Sequence, residues 1–102
     1  MTKRSRTERR ARERTTAKLV RDKWKIATFE PGGAPERPVV VVSASVVEAH
    51  ARALPCALCG ASVRVDEHTA EEHDGHRLRV ARVTCMQCGA SRPLYYQIAQ
   101  PN

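Results

Sequence analysis

Four cysteines carry the clearest chemistry in the chain. They fall in two matching units, Cys56-Ala57-Leu58-Cys59-Gly60 and Cys85-Met86-Gln87-Cys88-Gly89, with twenty-five residues between Cys59 and Cys85. A two-residue gap lets both thiolates of a pair reach one metal from a tight turn whose amides point at sulfur. The glycine after each second cysteine supplies the backbone freedom that such a turn needs. Two such turns bring Cys56, Cys59, Cys85 and Cys88 into a tetrahedron, the closed geometry of a structural zinc site, so one Zn2+ per chain is the expected cofactor. With four cysteine ligands no position is left for a catalytic water. A redox dithiol needs one such pair in a βαβ setting, which is absent. An iron centre takes similar spacing, but no clustered aromatics shield this one.

The other reactive side chains form no catalytic set. His68, His73 and His76 surround an acidic stretch that holds Asp66, Glu67, Glu71, Glu72 and Asp74. A second metal site there is conceivable, but a solvated hairpin end accounts for these residues more simply. None of the acids is paired with a nucleophile, and there is no glycine-rich phosphate loop. No small-molecule substrate is evident, and the chain is not expected to be an enzyme.

The residues between the cysteine pairs must bring them together, and their pattern is that of a hairpin. Val63-Arg64-Val65 and Leu78-Arg79-Val80 alternate, and Asp74-Gly75 between them is a strong two-residue turn signal. That turn sets Glu72 opposite Arg77 and Glu67 opposite Arg82. It also places Val63, Val65, Thr69, Leu78 and Val80 on one face. Leu94, Tyr96 and Ile98 alternate as a third strand, with Pro93 at its start or on an edge. Tyr95 and Tyr96 point to opposite faces, so at most one is free to stack on a base.

Residues 55–98 resemble the zinc-ribbon group, whose members carry two Cys-x-x-Cys-Gly knuckles on short hairpins and add a third strand. The resemblance implies a small zinc-stabilised α+β domain built on a three-stranded antiparallel zinc ribbon. Ribbons of this group occur in transcription factors, RNA polymerase subunits, ribosomal proteins and adaptor proteins.

The elements before the ribbon have a different character. The chain has 102 residues, 18 Lys and Arg against 11 Asp and Glu, and 4% aromatics. So few aromatics make a weak core, which is a reason to expect a metal staple. Residues 1–37 hold twelve basic and five acidic residues, whereas residues 38–102 hold six of each. The whole basic excess therefore lies in an N-terminal arm, residues 1–30, expected to be disordered up to residue 14 and helical from Thr15. Thr16, Val20, Trp24 and Ala27 make a stripe at helical spacing, expected to dock on the domain near Val39-Val40-Val41-Val42. Residues 31–38, with three prolines and two glycines, read as a linker. Residues 39–54 read as an extended segment and a short helix opened by the capping box Ser45-Val46-Val47-Glu48.

No apolar run is long enough to span a membrane, and no apolar stretch follows the basic N-terminus. The expected setting is therefore cytoplasmic and reducing, without a membrane partner. Two functions from different classes fit. In one, Arg4, Arg6, Arg9, Arg10, Arg12, Arg14, Lys18, Arg21 and Lys25 neutralise nucleic-acid phosphates. In the other, the ribbon or the Trp24 helix is a protein-interaction adaptor in a larger assembly. The acidic hairpin tip argues against nucleic-acid contact by the ribbon itself, which leaves the arm as the candidate surface.

Overall fold

A computed structural model describes residues 6–99. Six elements follow in order: α1 (Arg6–Phe29), β1 (Val39–Val41), α2 (Ala44–Ala53), β2 (Val63–His73), β3 (His76–Cys85) and β4 (Ser91–Ile98). The strands form one sheet in the order β1-β4-β3-β2. β2, β3 and β4 run antiparallel, while β1 lies parallel to β4 with Val39 beside Tyr96 and Val41 beside Ile98. The architecture is thus α+β with a four-stranded mixed sheet, not the three-stranded antiparallel ribbon that the cysteine pattern suggested. The added strand is the β-branched run, which needs α2 as a crossover before the chain can return beside it.

The β2–β3 hairpin turns at Asp74-Gly75, both with positive φ (50° and 79°), the conformation that a two-residue turn of this hand requires. Glu72 lies opposite Arg77 and Glu67 opposite Arg82, as the turn implied. A bulge between Val65 and Glu67 then shifts the register. Asp66 stands at the bulge, where its carboxylate accepts hydrogen bonds from Thr84 and, at 2.8 Å, from Arg64 Nε. The shift corrects the single face expected from the sequence. Val63 and Val65 now pair with Cys85 and Val83, whereas Thr69, Leu78 and Val80 belong to the opposite face, because one inserted residue inverts the alternation.

Each face of the sheet has its own cover. On one, α2 sets Val47 and Ala51, one turn apart, against Val41, Val63, Ala81, Val83, Leu94 and Tyr96. Cys56 and Cys85 belong to this same cluster, so the metal-ligating sulfurs extend the core at one end of the sheet. α2 opens after Ser43, whose extended backbone (φ −158°) makes it the cap. Ser45 lies inside the first turn and pairs its hydroxyl with that of Ser43 at 2.7 Å, so the expected capping box at Ser45 does not form.

The other face is covered by residues 31–38, which are bonded into the domain rather than spanning a gap. Gly32 N donates to Arg37 O at 2.6 Å, and Tyr95 N donates to Gly32 O at 2.8 Å. Gly33 packs so closely on the end of α1 that a Cβ there would lie 1.9 Å from Ala27 O. Arg37 closes that end: its guanidinium donates to Thr28 O at 2.7 and 3.1 Å and sits 5.1 Å from the Phe29 ring centre.

α1 starts at Arg6, well before Thr15, and runs for 24 residues without glycine or proline, about 36 Å at 1.5 Å per residue. Every residue of 6–23 is exposed, Trp24 is half-buried and Ala27 is buried. Only the last turns therefore dock, and they meet Gly33, Arg37 and Leu58 rather than β1, with a cleft left between them and β4. The helix extends the molecule to 68 × 26 × 16 Å. Among the described residues no helix is long and apolar enough to cross a membrane.

Candidate metal centre and basic helix

The two cysteine turns are built alike. Gly60 N donates to Cys56 O at 2.9 Å and Gly89 N to Cys85 O at 3.2 Å, and both glycines adopt φ 77°. Cys56 N donates to Ala61 O and Cys85 N to Ala90 O, at 2.9 and 2.8 Å, which closes each turn at its base. Met86 N donates to Ser62 O at 3.0 Å and ties one turn to the other. The first turn follows α2, and the second ends β3. The hairpin that separates the pairs in sequence is what returns Cys85 beside Val63.

The four sulfurs all lie within 4.8 Å of one another. Cys56 Sγ is 3.7 Å from Cys88 Sγ, and Cys59 Sγ is 3.4 Å from Cys85 Sγ. A tetrahedron with metal–sulfur bonds of about 2.3 Å has edges of about 3.8 Å, whereas a disulfide needs about 2.05 Å. The thiols are free, and the set fits a metal ion. Cys56 and Cys85 are buried on the core side, and Cys59 and Cys88 are exposed.

Backbone amides prepare the site for a cation. Those of Cys88 and Gln87 donate to Cys85 Sγ, each at 3.3 Å, and hold its thiol down at about 6. Burial pushes Cys56 up, but the amides of Cys59 and Leu58 prevail and its thiol is lowered. At Cys88 the Ala90 amide pulls down, yet burial and the three neighbouring sulfurs outweigh it and push the thiol up to about 12. Crowded thiols resist full ionisation on their own charge, and a bound cation removes that resistance.

The histidines are not gathered in the same way. Among the described residues the four cysteines are the one cluster of potential metal ligands. His73 Nε2 lies 3.4 Å from Glu71 Oε1, and its ring meets Tyr95 edge-on at 5.4 Å. His50 Nδ1 shares a hydrogen bond with the Tyr96 hydroxyl at 2.9 Å. The acidic tip is exposed along much of its length, and of its two cross-strand charge pairs only Glu67–Arg82 closes, at 3.8 Å.

The arm residues lie on α1, except Arg4, which is outside the described residues. Arg6, Arg9, Arg10, Arg12, Arg14, Lys18, Arg21 and Lys25 are all exposed. Arg10, Arg14, Lys18, Arg21 and Lys25 recur at i, i+4, i+8, i+11 and i+15 and so share one face, with no acid among them. α1 carries nine basic and three acidic residues in all. Lys23 is the exception in role: its Nζ donates to Leu58 O at 2.8 Å, which fastens the helix to the first cysteine turn. Sequence reasoning had no signal for that bond, because the contact joins residues far apart in the chain. It also missed the cleft lined by Trp24, Pro93 and Tyr95, because it expected Trp24 to dock near Val39–Val42 and gave Tyr95 no neighbour. Compared with protein-family models, curated proteins and solved structures, the chain matches none.

Proposed function

We propose that this is a non-catalytic zinc protein of the cytoplasm that binds nucleic acid through α1. The observation that carries the reading is the exposed stripe of Arg10, Arg14, Lys18, Arg21 and Lys25 on a helix that stands clear of the sheet. At about 36 Å, α1 is as long as one turn of duplex, about 34–36 Å. Its cations interact with phosphates without reading sequence. Zinc is the metal this reading assigns to the four cysteines, since closed four-cysteine sites of this kind are structural zinc sites. Zinc then serves the function indirectly, by holding the turn that receives Lys23.

Reversing the stripe tests the reading. The variant Arg14→Glu, Lys18→Glu, Arg21→Glu is expected to abolish binding to labelled duplex and single-stranded oligonucleotides at low salt while keeping its metal. Zinc-loaded, folded wild type that binds none of them overturns the proposal. The competing adaptor reading draws on the exposure of Leu19 (56%) and Ile26 (61%) on α1. A pull-down from lysate separates the two: nuclease treatment releases partners held through nucleic acid and leaves a direct protein partner bound.

A further inference from the structure

Between the docked end of α1 and β4 lies a cleft of about 400 Å³, lined by Trp24, Ala27, Ala34, Pro35, Arg92, Pro93 and Tyr95 among others. That is within the range of small-ligand pockets, about 300–1,000 Å³. Its two aromatic rings are half-buried, and Trp24 is the one tryptophan of the chain. The Tyr95 ring meets that of His73 at nearly a right angle, 5.4 Å between centres, and its backbone is fixed by the bond to Gly32. The ring therefore sits on a rigid strand. Neither the Trp24 indole N–H nor the Tyr95 hydroxyl has a hydrogen-bond partner among the described residues, so both donors are open to a ligand.

Charge decides what such a cleft would take. Arg21 and Lys25 stand beside Trp24 on the helix, so the basic stripe of α1 ends there, whereas Arg92, paired with Val83, points to the α2 face of the sheet. The cavity at the hairpin tip is different: Glu36, His73, Asp74 and His76 line it, and its carboxylates repel a phosphate chain. We propose that the Trp24–Tyr95 cleft receives an unpaired base of a single-stranded nucleic acid whose phosphates follow the α1 stripe. The inference rests on the function proposed above and deepens it, from a general phosphate contact to a preference for single strands. An apolar cleft that holds two aromatic rings takes any base by its π-face. A duplex keeps its bases stacked and has none to offer.

Trp24 fluorescence in the full-length, zinc-loaded protein is the test, with oligothymidylate, a short duplex and inorganic polyphosphate as probes. Oligothymidylate should quench it, and the duplex and polyphosphate should not. Trp24→Leu and Tyr95→Leu should each lower the ratio of single-strand to duplex affinity by roughly 5- to 150-fold, the loss of one base–aromatic stack. Metal content and circular dichroism check that each variant folds. If oligothymidylate binds with Trp24 silent and the ratio unchanged, this inference fails and the phosphate reading stands. If no nucleic acid binds, both fail. Quenching by a proline-rich peptide but not by oligothymidylate assigns the cleft to a protein ligand and overturns the inference.

Discussion

Cys59 and Cys88 show how much a single side chain carries in a domain this small. Apparent metal binding in structural zinc peptides is worth about 10–16 kcal/mol, as much as the whole net stability of a typical domain, about 5–15 kcal/mol. Replacing both with serine leaves two ligands, which cannot close a tetrahedron. Elemental analysis should then fall from one metal per chain to none, and the amides of residues 55–98 should lose protection from hydrogen exchange. A double variant that keeps its metal and its protection contradicts the four-cysteine assignment. Tyr96 makes a separate case. Burial pushes its hydroxyl up from the usual value of about 10 to about 12, against a smaller opposite pull from Arg92. The folded state thus prefers the neutral phenol. The associated stability is complete below pH 10 and lost as the pH rises from 10 through 12. Tyr96→Phe should flatten that alkaline loss in a series of denaturant midpoints, whereas an equally steep loss in the variant would place the cause elsewhere.

At the scale of elements, two glycines should respond to the same substitution for different reasons. Gly75 holds φ 79° in open space, so Gly75→Ala meets only backbone strain, about 1–2 kcal/mol, visible as a lowered denaturant midpoint with the register intact. Gly33→Ala places a methyl against Ala27 O and should push the end of α1 away from residues 31–38, read as a red shift of Trp24 emission. A variant emission like that of wild type would show that α1 is not seated on Gly33. The turn at Asp74-Gly75 and the charge pairing beyond it were legible in the sequence, because both depend on neighbours along the hairpin. The bulge was not: it rests on Asp66 reaching Arg64 and Thr84, a tertiary bond. The carboxyl of Asp66 accordingly lies below its usual range, chiefly through Thr84 and then Arg64. The pairing of β1 with β4 was hidden for a similar reason, since no local pattern tells an extended valine run which strand it will join. The start of α2 turned on which of two serines, Ser43 or Ser45, takes the extended backbone. The start of α1 turned on charged residues that favour a helix without burying anything.

At the scale of the whole molecule, the cysteine centre, the sheet and the basic helix form one chain of support. The sulfurs fix the first turn, its Leu58 carbonyl receives Lys23, and Gly33 and Arg37 then hold the end of the helix. Chelating the metal should therefore change Trp24 emission as well as the sheet. An unchanged Trp24 signal in chelated protein would uncouple the helix from the centre. Contact between the exposed stripe of α1 and nucleic-acid phosphates, as proposed, is read most directly from the salt dependence of binding. If about 4–6 cations meet phosphates, the slope of log K against log salt should be roughly −3 to −6. Deleting residues 1–14, which removes Arg10 and Arg14, should make the slope shallower and leave the metal bound. A slope near zero in the full chain, or one unchanged by the deletion, would contradict the claim.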